Sequence, residues 1–582
     1  MTEPLTTERL AEQDPHTWRR PVTATGLLAA FVDAGVIDTP DVHVAQRLCA
    51  LGEEPDERVA LAVALLVRAL RGGSVCMDLT RVAEQTGIEA PWPEPAGWAA
   101  AVATSPLVAG EPPVLRRYGE LLYLDRYWRE EEQVCADVRA MTAARPTTAR
   151  PDTGDLFESP RFDEQRAAAE IALSHRFTVL TGGPGTGKTT TVARLLALLA
   201  EQAALEGRPP LRIALAAPTG KAAARLQETV QEQIRELSER DRQRLAGLQA
   251  TTLHRLLGRR PDSSSRFRHH RGNRLPHDVI VVDETSMVSL TMMARLLEAV
   301  RPTARLLLVG DPDQLASVEA GAVLADLVDG LDPQVVAVLR TSHRFGGAIG
   351  ALADAIRTGD PDATVAALRN GGSEVVWFDT DNPAEVLRKT LTDHAVELRR
   401  AALLGDHVAA LQKLETHRLL CAHRRGPYGV THWNRQVERW LTEATGEPIW
   451  SAWYPGRPVL VTANDYGLGL YNGDTGVTVR GESGLRVVIA GAGKVSEFAA
   501  GRLAEVDTMH AMTIHKSQGS QADEVTVLLP PQDSRLLSRE LFYTAVTRAR
   551  EKVQVVGPEA AVRTAVQRRV VRASGLSRRL RD

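Results

Sequence analysis

Eight residues constrain this chain more than any others: Gly182-Gly183-Pro184-Gly185-Thr186-Gly187-Lys188-Thr189. They fit G-x-x-x-x-G-K-[ST]. They stand between an apolar run, Phe177–Leu180, and the helix-forming stretch TTTVARLLALLA. Strand, glycine-rich turn and helix in that order let backbone N–H groups close around phosphate oxygens, with the positive end of the helix dipole behind them. Lys188 can reach the β- and γ-phosphates, and the Thr189 hydroxyl can ligate Mg²⁺. The cradle so defined runs from Gly182 to Thr190 and implies a nucleoside triphosphate such as ATP. Only seven of the 70 basic residues are lysines, so a lysine falls in this position by chance only rarely.

A P-loop needs a carboxylate at the end of a neighbouring strand. Val279-Ile280-Val281-Val282-Asp283-Glu284 supplies one. Asp283 would emerge beside the metal, and Glu284 is placed to orient and deprotonate an attacking water. A further strand, Leu307–Gly310, ends in Asp311-Pro312-Asp313-Gln314. That turn carries Gln314 towards the γ-phosphate, or else leaves it as a solvated side chain.

Around these motifs, short Val/Leu/Ile-rich runs alternate with helical stretches from 161 onwards. That pattern is an α/β fold with a parallel sheet covered on both faces. At 582 residues, roughly 100–200 per domain gives three or four domains. Residues 1–140 read as mainly helical, with apolar spacing over 45–73, strand-like pieces such as 120–128 and no catalytic pattern. Residues 141–160, rich in Pro, Thr and Asp, read as a linker. The composition, 43% hydrophobic and 25% charged, excludes a disordered, collagen-like or disulfide-scaffold protein. Net charge is −3, so a nucleic-acid partner must be held by local basic patches. The four cysteines form no C-x-x-C pair, the first twenty residues have no apolar core, and no run is long enough to span a membrane. A cytoplasmic protein with reduced thiols is expected.

The motif set resembles a superfamily 1 helicase: TGGPGTGKTTT (181–191), APTGKAAARL (217–226), TTLHRLLG (251–258), VVDETSMV (281–288), VGDPDQLASVEAG (309–321), TSHRF (341–345), MTIHKSQGS (512–520) and LFYTAVTRAREKV (541–553). VVDETSMV, PGRPVLVTANDYGLGLYNGDTGV (455–477) and MTIHKSQGS, with GGSVCMDL (72–79) and LLYLDRYWREEE (121–132), are similar to the RecD family, the helicase α chains of exodeoxyribonuclease V, the RecBCD complex. The resemblance implies two RecA-like P-loop domains, at 161–330 and 331–582. It also implies an SH3-like β domain inserted at about 455–505. ATP and Mg²⁺ would bind between the motor domains. The implied activity is 5′→3′ DNA translocation and unwinding on single strands and duplex ends. RecB-like helicase-nuclease and RecC-like scaffold chains would complete a heterotrimer. No nuclease pattern stands in this chain. The alternative is a stand-alone RecD-like helicase; its longer relatives carry helix-hairpin-helix modules, and residues 1–150 show no such signature.

Residue by residue, the resemblance makes Gln165 the adenine reader and Gln314 the γ-phosphate sensor. Arg344 and Arg548 become the two arginines that the second motor domain offers to the γ-phosphate, with Arg550 as a structural neighbour. Pro218, Thr219, Thr252, His254, Thr513 and His515 would touch a single strand. One position departs from the family: where it usually has a glutamate that meets the nucleotide sugar, this chain has Gln521, which can hydrogen-bond but brings no charge.

The stretch 258–278 holds many arginines, Phe267 and two histidines. It reads as a strand-separating pin or phosphate rail, or as a solvated loop. Residues 1–140 read as a docking module for a scaffold partner, or else as helices that complete the motor's own core. As a docking module they would be dispensable for ATPase activity in a chain that starts near Gly154.

Overall fold

A computed structural model describes residues 24–144, 153, 156–260, 266–342, 347–465, 467–482, 484–491 and 494–582. The first motor domain is a six-stranded, all-parallel sheet. Its order is Ala250–Thr252, Ile213–Ala217, Val279–Val282, Arg305–Gly310, Phe177–Gly182 and Val336–Leu339. The strands are apolar on both sides because both faces are covered. Phe177, Val179, Ile280, Val282, Leu306 and Leu308 point into one core cluster. Leu180, Val281, Leu307 and Val309, one residue out of step, point into the other, with the P-loop helix Lys188–Leu205.

The first of those clusters changes the expected domain plan. It contains Val134, Cys135, Val138 and Met141 from the helix Asp125–Ala143. Gln133 donates to the Ala294 carbonyl at 2.8 Å, Thr291 donates to Glu130 at 2.7 Å, and Arg271 pairs with Asp137 at 2.8 Å. The helix therefore closes one face of the first motor sheet, although it lies before the linker drawn from sequence. That linker is also shorter than 141–160. The helix runs through Ala143, and Phe157 is fully buried in the opposite core. Most of the residues between lie outside those described. At the other end, Val336–Leu339 pairs with the P-loop strand, so the first domain runs to Leu339 and not to 330.

Ahead of this helix, a separate helical core forms around Glu57–Arg71, which buries Val59 and Leu61–Val67 against Phe31 and Trp98. Gly52 ends the helix Thr39–Leu51, and the Asp56 side chain caps the next by accepting from the Arg58 amide. The continuous helical run at 45–73 is thus two helices. Within 120–128 the strand is only Leu121–Leu124, and Asp125 already starts the helix.

The second motor domain has five parallel strands in the order Val375–Phe378, Ala549–Val556, Ala522–Leu528, His417–Cys421 and Ala511–Thr513. Between its strands His417–Cys421 and Ala511–Thr513, a five-stranded antiparallel sheet is inserted from Pro458 to Thr508. The chain then returns to the first domain. Helix Leu576–Arg581 buries Leu576 in the first-domain core. Glu131, fully buried, accepts from Tyr123 Oη at 2.9 Å, Ser574 Oγ at 2.8 Å, the Gly575 amide at 2.9 Å and Arg579 Nε at 3.1 Å. One carboxylate thus ties the N-terminal hairpin, the helix and the C-terminal tail together.

Two outcomes follow. Glu131→Ala strands a largely buried arginine and should cost about 3–5 kcal/mol, read as a lower urea midpoint for the first motor domain. A chain that starts at Gly154 exposes the face that Val134 and Val138 cover, so it should be insoluble or aggregated. A monodisperse, active fragment would show that this face tolerates water.

Candidate active site and strand channel

The P-loop turns through two glycines in the left-handed region, Gly185 (φ 80°) and Gly187 (φ 86°). A Cβ on Gly187 would also come within 3.0 Å of the Gln165 amide. Gln165, from helix Asp163–Ser174, is buried and donates to the Thr186 carbonyl at 3.1 Å. Thr186 Oγ1 donates to the Gly183 carbonyl at 2.9 Å. Lys188 Nζ donates to the carbonyls of Gly182 (2.6 Å) and Gly183 (2.8 Å). The ammonium is therefore held at the mouth of the loop.

The strand Val279–Val282, separated from the P-loop strand by Arg305–Gly310, delivers the acids. The Asp283 amide donates to the Ala216 carbonyl at 2.9 Å, which fixes the end of its strand against Ile213–Ala217. Burial, then the neighbouring Glu284 charge, pushes the Asp283 carboxyl up. Glu284 has φ 51° and ψ 40°, a left-handed conformation that costs a non-glycine residue about 1–3 kcal/mol and collects at functional sites.

Gln314 lies at the domain boundary. Its amide donates to Asp311 Oδ2 at 3.0 Å and its carbonyl accepts from Arg548 Nη2 at 3.2 Å. Arg548 is 4% exposed and also donates to the Thr544 carbonyl at 3.0 Å. Tyr543 Oη donates to Asp311 at 3.1 Å, the Leu315 amide donates to Thr544 Oγ1 at 2.9 Å, and Gln518 donates to the Leu315 carbonyl at 2.8 Å. Arg550 pairs instead with Asp523 at 3.2 Å.

A cleft of about 460 Å³ between the domains gathers Gln165, Pro184, Gly185, Gly187, Lys188, Thr189, Thr190, Asp283, Glu284, Gln314, Gln521 and Arg548. Arg344 lies outside the described residues. The cleft also holds Arg225, which the motif reading passed over. It sits on the helix Gly220–Arg235. Burial lowers its pKa, and the acids that oppose this most are Glu284 and then Asp283. Burial also lowers Arg548, and Glu284 again is its strongest opposing acid.

A second, larger cavity of about 1160 Å³ crosses the boundary on the far side of these motifs. Pro218, Thr219, Thr252, His254, Thr513 and His515, the six residues named as strand contacts, all line it. Arg259, Arg424, Arg435 and Lys516 add positive charge to its wall, while burial lowers the pKa of Lys221 to about 7. The inserted sheet supplies one side: Lys516 Nζ donates to Asn472 Oδ1 at 2.6 Å, and a Cβ on Gly220 would meet Tyr471 Cβ at 2.6 Å. Neither Asn472 nor Tyr471 carried a sequence signal beyond its Asn-Gly turn.

The basic stretch 258–278 is more folded than a free loop. Residues 261–265 lie outside the described residues. Beyond them Phe267 is 6% exposed, packed in the first-domain core and edge-on to His254 at 5.8 Å. Arg259 and Phe267 bridge antiparallel, and Arg271 is paired with Asp137. Phe267 is therefore a core residue and not a stacking tip. Arg260, Arg266 and Arg268 remain exposed.

Residues 162–380 match the family described as AAA domain, 508–556 the UvrD-like helicase C-terminal domain, and 33–123 the RecBCD enzyme subunit RecD, N-terminal domain. The chain is 69% identical over 556 residues to the RecBCD enzyme subunit RecD of Mycolicibacterium smegmatis, covering 95% of this chain and 99% of that one. It is 65% identical over 566 residues to RecBCD enzyme subunit RecD of Mycobacterium tuberculosis, covering 96% and 98%. To the ATP-dependent RecD2 DNA helicase of Deinococcus radiodurans it is 33% identical over 469 residues, covering 79% and 58%.

The cleft geometry gives a paired expectation. Lys188→Ala removes the point charge at the loop mouth and packs no core, so ATP turnover should vanish while the fold persists. Glu284→Gln should bind ATP–Mg²⁺ and hydrolyse it slowly. Nucleotide-binding titrations with single-turnover hydrolysis separate the two. Collapsed affinity with normal hydrolysis in Glu284→Gln would mean the two acids have exchanged roles.

Proposed function

The chain belongs to the RecD family of RecBCD enzyme subunits and is an ATP-dependent DNA helicase; from that premise we propose how its parts divide the work. ATP lies on the P-loop. Lys188 neutralises its outer phosphates, Gln165 reads the base, and Gln521 meets the sugar with a neutral hydrogen bond. Thr189 and Asp283 offer two hard oxygen ligands, the kind of incomplete set that Mg²⁺ completes with phosphate and water. The ion would neutralise charge between the phosphates. Glu284 takes the proton of the attacking water, and Gln314 reports the γ-phosphate to Arg548. The fixed charge of Arg548, with that of Arg344, stabilises the charge spread over the transferring group.

A strand runs through the larger cavity, held by hydroxyl, imidazole and basic groups that read backbone and not sequence. The carrying observation is that three segments line both cavities. Residues 218–225, 283–287 and 513–521 each place one end in the strand channel and the other in the nucleotide cleft. Closure on ATP and reopening after hydrolysis then shift the strand, with 5′→3′ polarity. The exposed arginines of 259–268 act on DNA at the channel mouth.

In the cell the chain works in the cytoplasm as the motor subunit of a heterotrimer in double-strand break repair and recombination. A RecB-like chain degrades DNA, and a RecC-like scaffold meets the helical core of residues 24–110. The stand-alone alternative is less favoured because the chain covers 99% and 98% of the two mycobacterial RecD subunits but 58% of the RecD2 helicase. Affinity purification of the full chain from its native cell, with mass spectrometry, should recover both partners. A chain that purifies alone and unwinds at full rate would favour the stand-alone reading. Tailed duplexes test polarity: only those with a 5′ single-stranded tail should be opened.

A further inference from the structure

The sequence motifs give Glu284 no partner in its own domain, yet its carboxylate projects from a strained backbone at the edge of the cleft. We propose that Arg225 is the positioning residue for Glu284. It is a first-domain arginine that holds the base in place and ties it to the strand channel. This rests on the reading of Glu284 as the base.

Three observations converge on it. Arg225 lines the same cleft as Lys188, Asp283, Glu284 and Arg548. It arrives there because its helix follows the strand Ile213–Ala217, which pairs in parallel with the Asp283 strand, Ala216 opposite Val282. The two chain ends therefore leave the sheet side by side. Second, Glu284 is the strongest electrostatic partner of two arginines, Arg225 from its own domain and Arg548 from the other. Arg548 reaches the cleft from the second domain, where it is hydrogen-bonded to Gln314, whereas Arg225 and Glu284 line it from the same domain. Third, the helix that carries Arg225 begins in the strand channel. Thr219 caps it by accepting from the Ala222 amide, and Gly220 and Lys221 line the channel. Lys221 and Arg225 are one turn apart on one face. The second domain also touches this turn, since a Cβ on Gly519 would lie 3.4 Å from Ala222 Cβ. A small displacement of the first turn, by a strand or by the second domain, would thus be delivered to the guanidinium that shares the cleft with the base.

An arginine suits the post because its charge is permanent and its fork can hold a carboxylate in a fixed orientation. The test is steady-state ATP hydrolysis at saturating oligo(dT) by the full chain and its Arg225→Gln and Arg225→Lys variants, with Glu284→Gln as reference. Arg225→Gln should lower kcat about tenfold with KM for ATP within about threefold, the mark of an interaction used in the transition state. Arg225→Lys should recover part of kcat, because a point charge remains without the fork. Oligo(dT) affinity by fluorescence anisotropy and the thermal midpoint should stay at wild-type values.

A wild-type kcat in Arg225→Gln beside an inactive Glu284→Gln overturns the positioning role alone. So does a loss confined to KM, or one accompanied by weaker oligo(dT) binding or a lower thermal midpoint. Normal turnover in Glu284→Gln overturns the base reading and the positioning role together.

Discussion

The turn Asp311–Leu315 is the point on which the two motor domains hang. Within five residues it accepts from Tyr543, Arg548 and Gln518 and donates to Thr544, all of the second domain. Neutral hydrogen bonds contribute about 0.5–1.5 kcal/mol each, and those with a charged partner about 1.5–3 kcal/mol. The set is therefore worth a few kcal/mol in total. That is enough to favour a closed cleft, yet small enough for nucleotide binding and release to reverse. Arg548 is what makes the balance depend on charge. A buried guanidinium needs anions, and Glu284 and Asp311 are those that the protein itself supplies. The γ-phosphate would add to them, and its loss on hydrolysis would weaken the same contact that holds the domains together.

Everything behind this turn serves to keep its two sides rigid. The first sheet is sealed on one face by the P-loop helix and on the other by the helix Asp125–Ala143. Glu131 then fastens the C-terminal tail onto that helix. The chain thus crosses between the motor domains twice, once between Leu339 and Ala348 and again near Arg568–Ala573. Two crossings would confine any relative motion of the domains to a hinge about a line through both. Such a motion opens the cleft without letting the domains drift apart.

The parts legible in the sequence were those whose chemistry is local. The P-loop, Asp283–Glu284 and the Gln314 turn each need a few adjacent residues after an apolar run, and all of them meet in the cleft, as does Arg548. The six residues expected to touch a strand also fall together in one cavity. What was not legible depends on packing between distant segments. Asp125–Ala143 is amphipathic and charge-rich, and its sequence cannot say whether the apolar stripe of Val134 and Val138 meets a partner or its own sheet. Phe267 sits in an arginine-rich stretch that looks solvated, yet it is drawn into the core by His254 and the neighbouring helix. Arg225 lay in plain sight within APTGKAAARL. A lone arginine, the sixth residue of a helix, carries no signal until the adjacent strand is known to end in Asp283.

Coupling between strand and nucleotide needs no long route through this molecule. From Lys221 to Arg225 is one helical turn, from Met287 to Glu284 less than one, and from His515 to Gln521 a short turn through Gly519, which has φ 73°. Each segment spans the wall between channel and cleft, so what moves one end moves the other by covalent geometry. Two of the three belong to the first domain and one to the second. A relative rotation of the domains would therefore change the spacing of Thr219 and Thr513 across the channel in the same motion that carried Arg548 towards or away from Glu284. Such a shared motion would be a physical coupling in the strict sense, one two-state element biasing both sites.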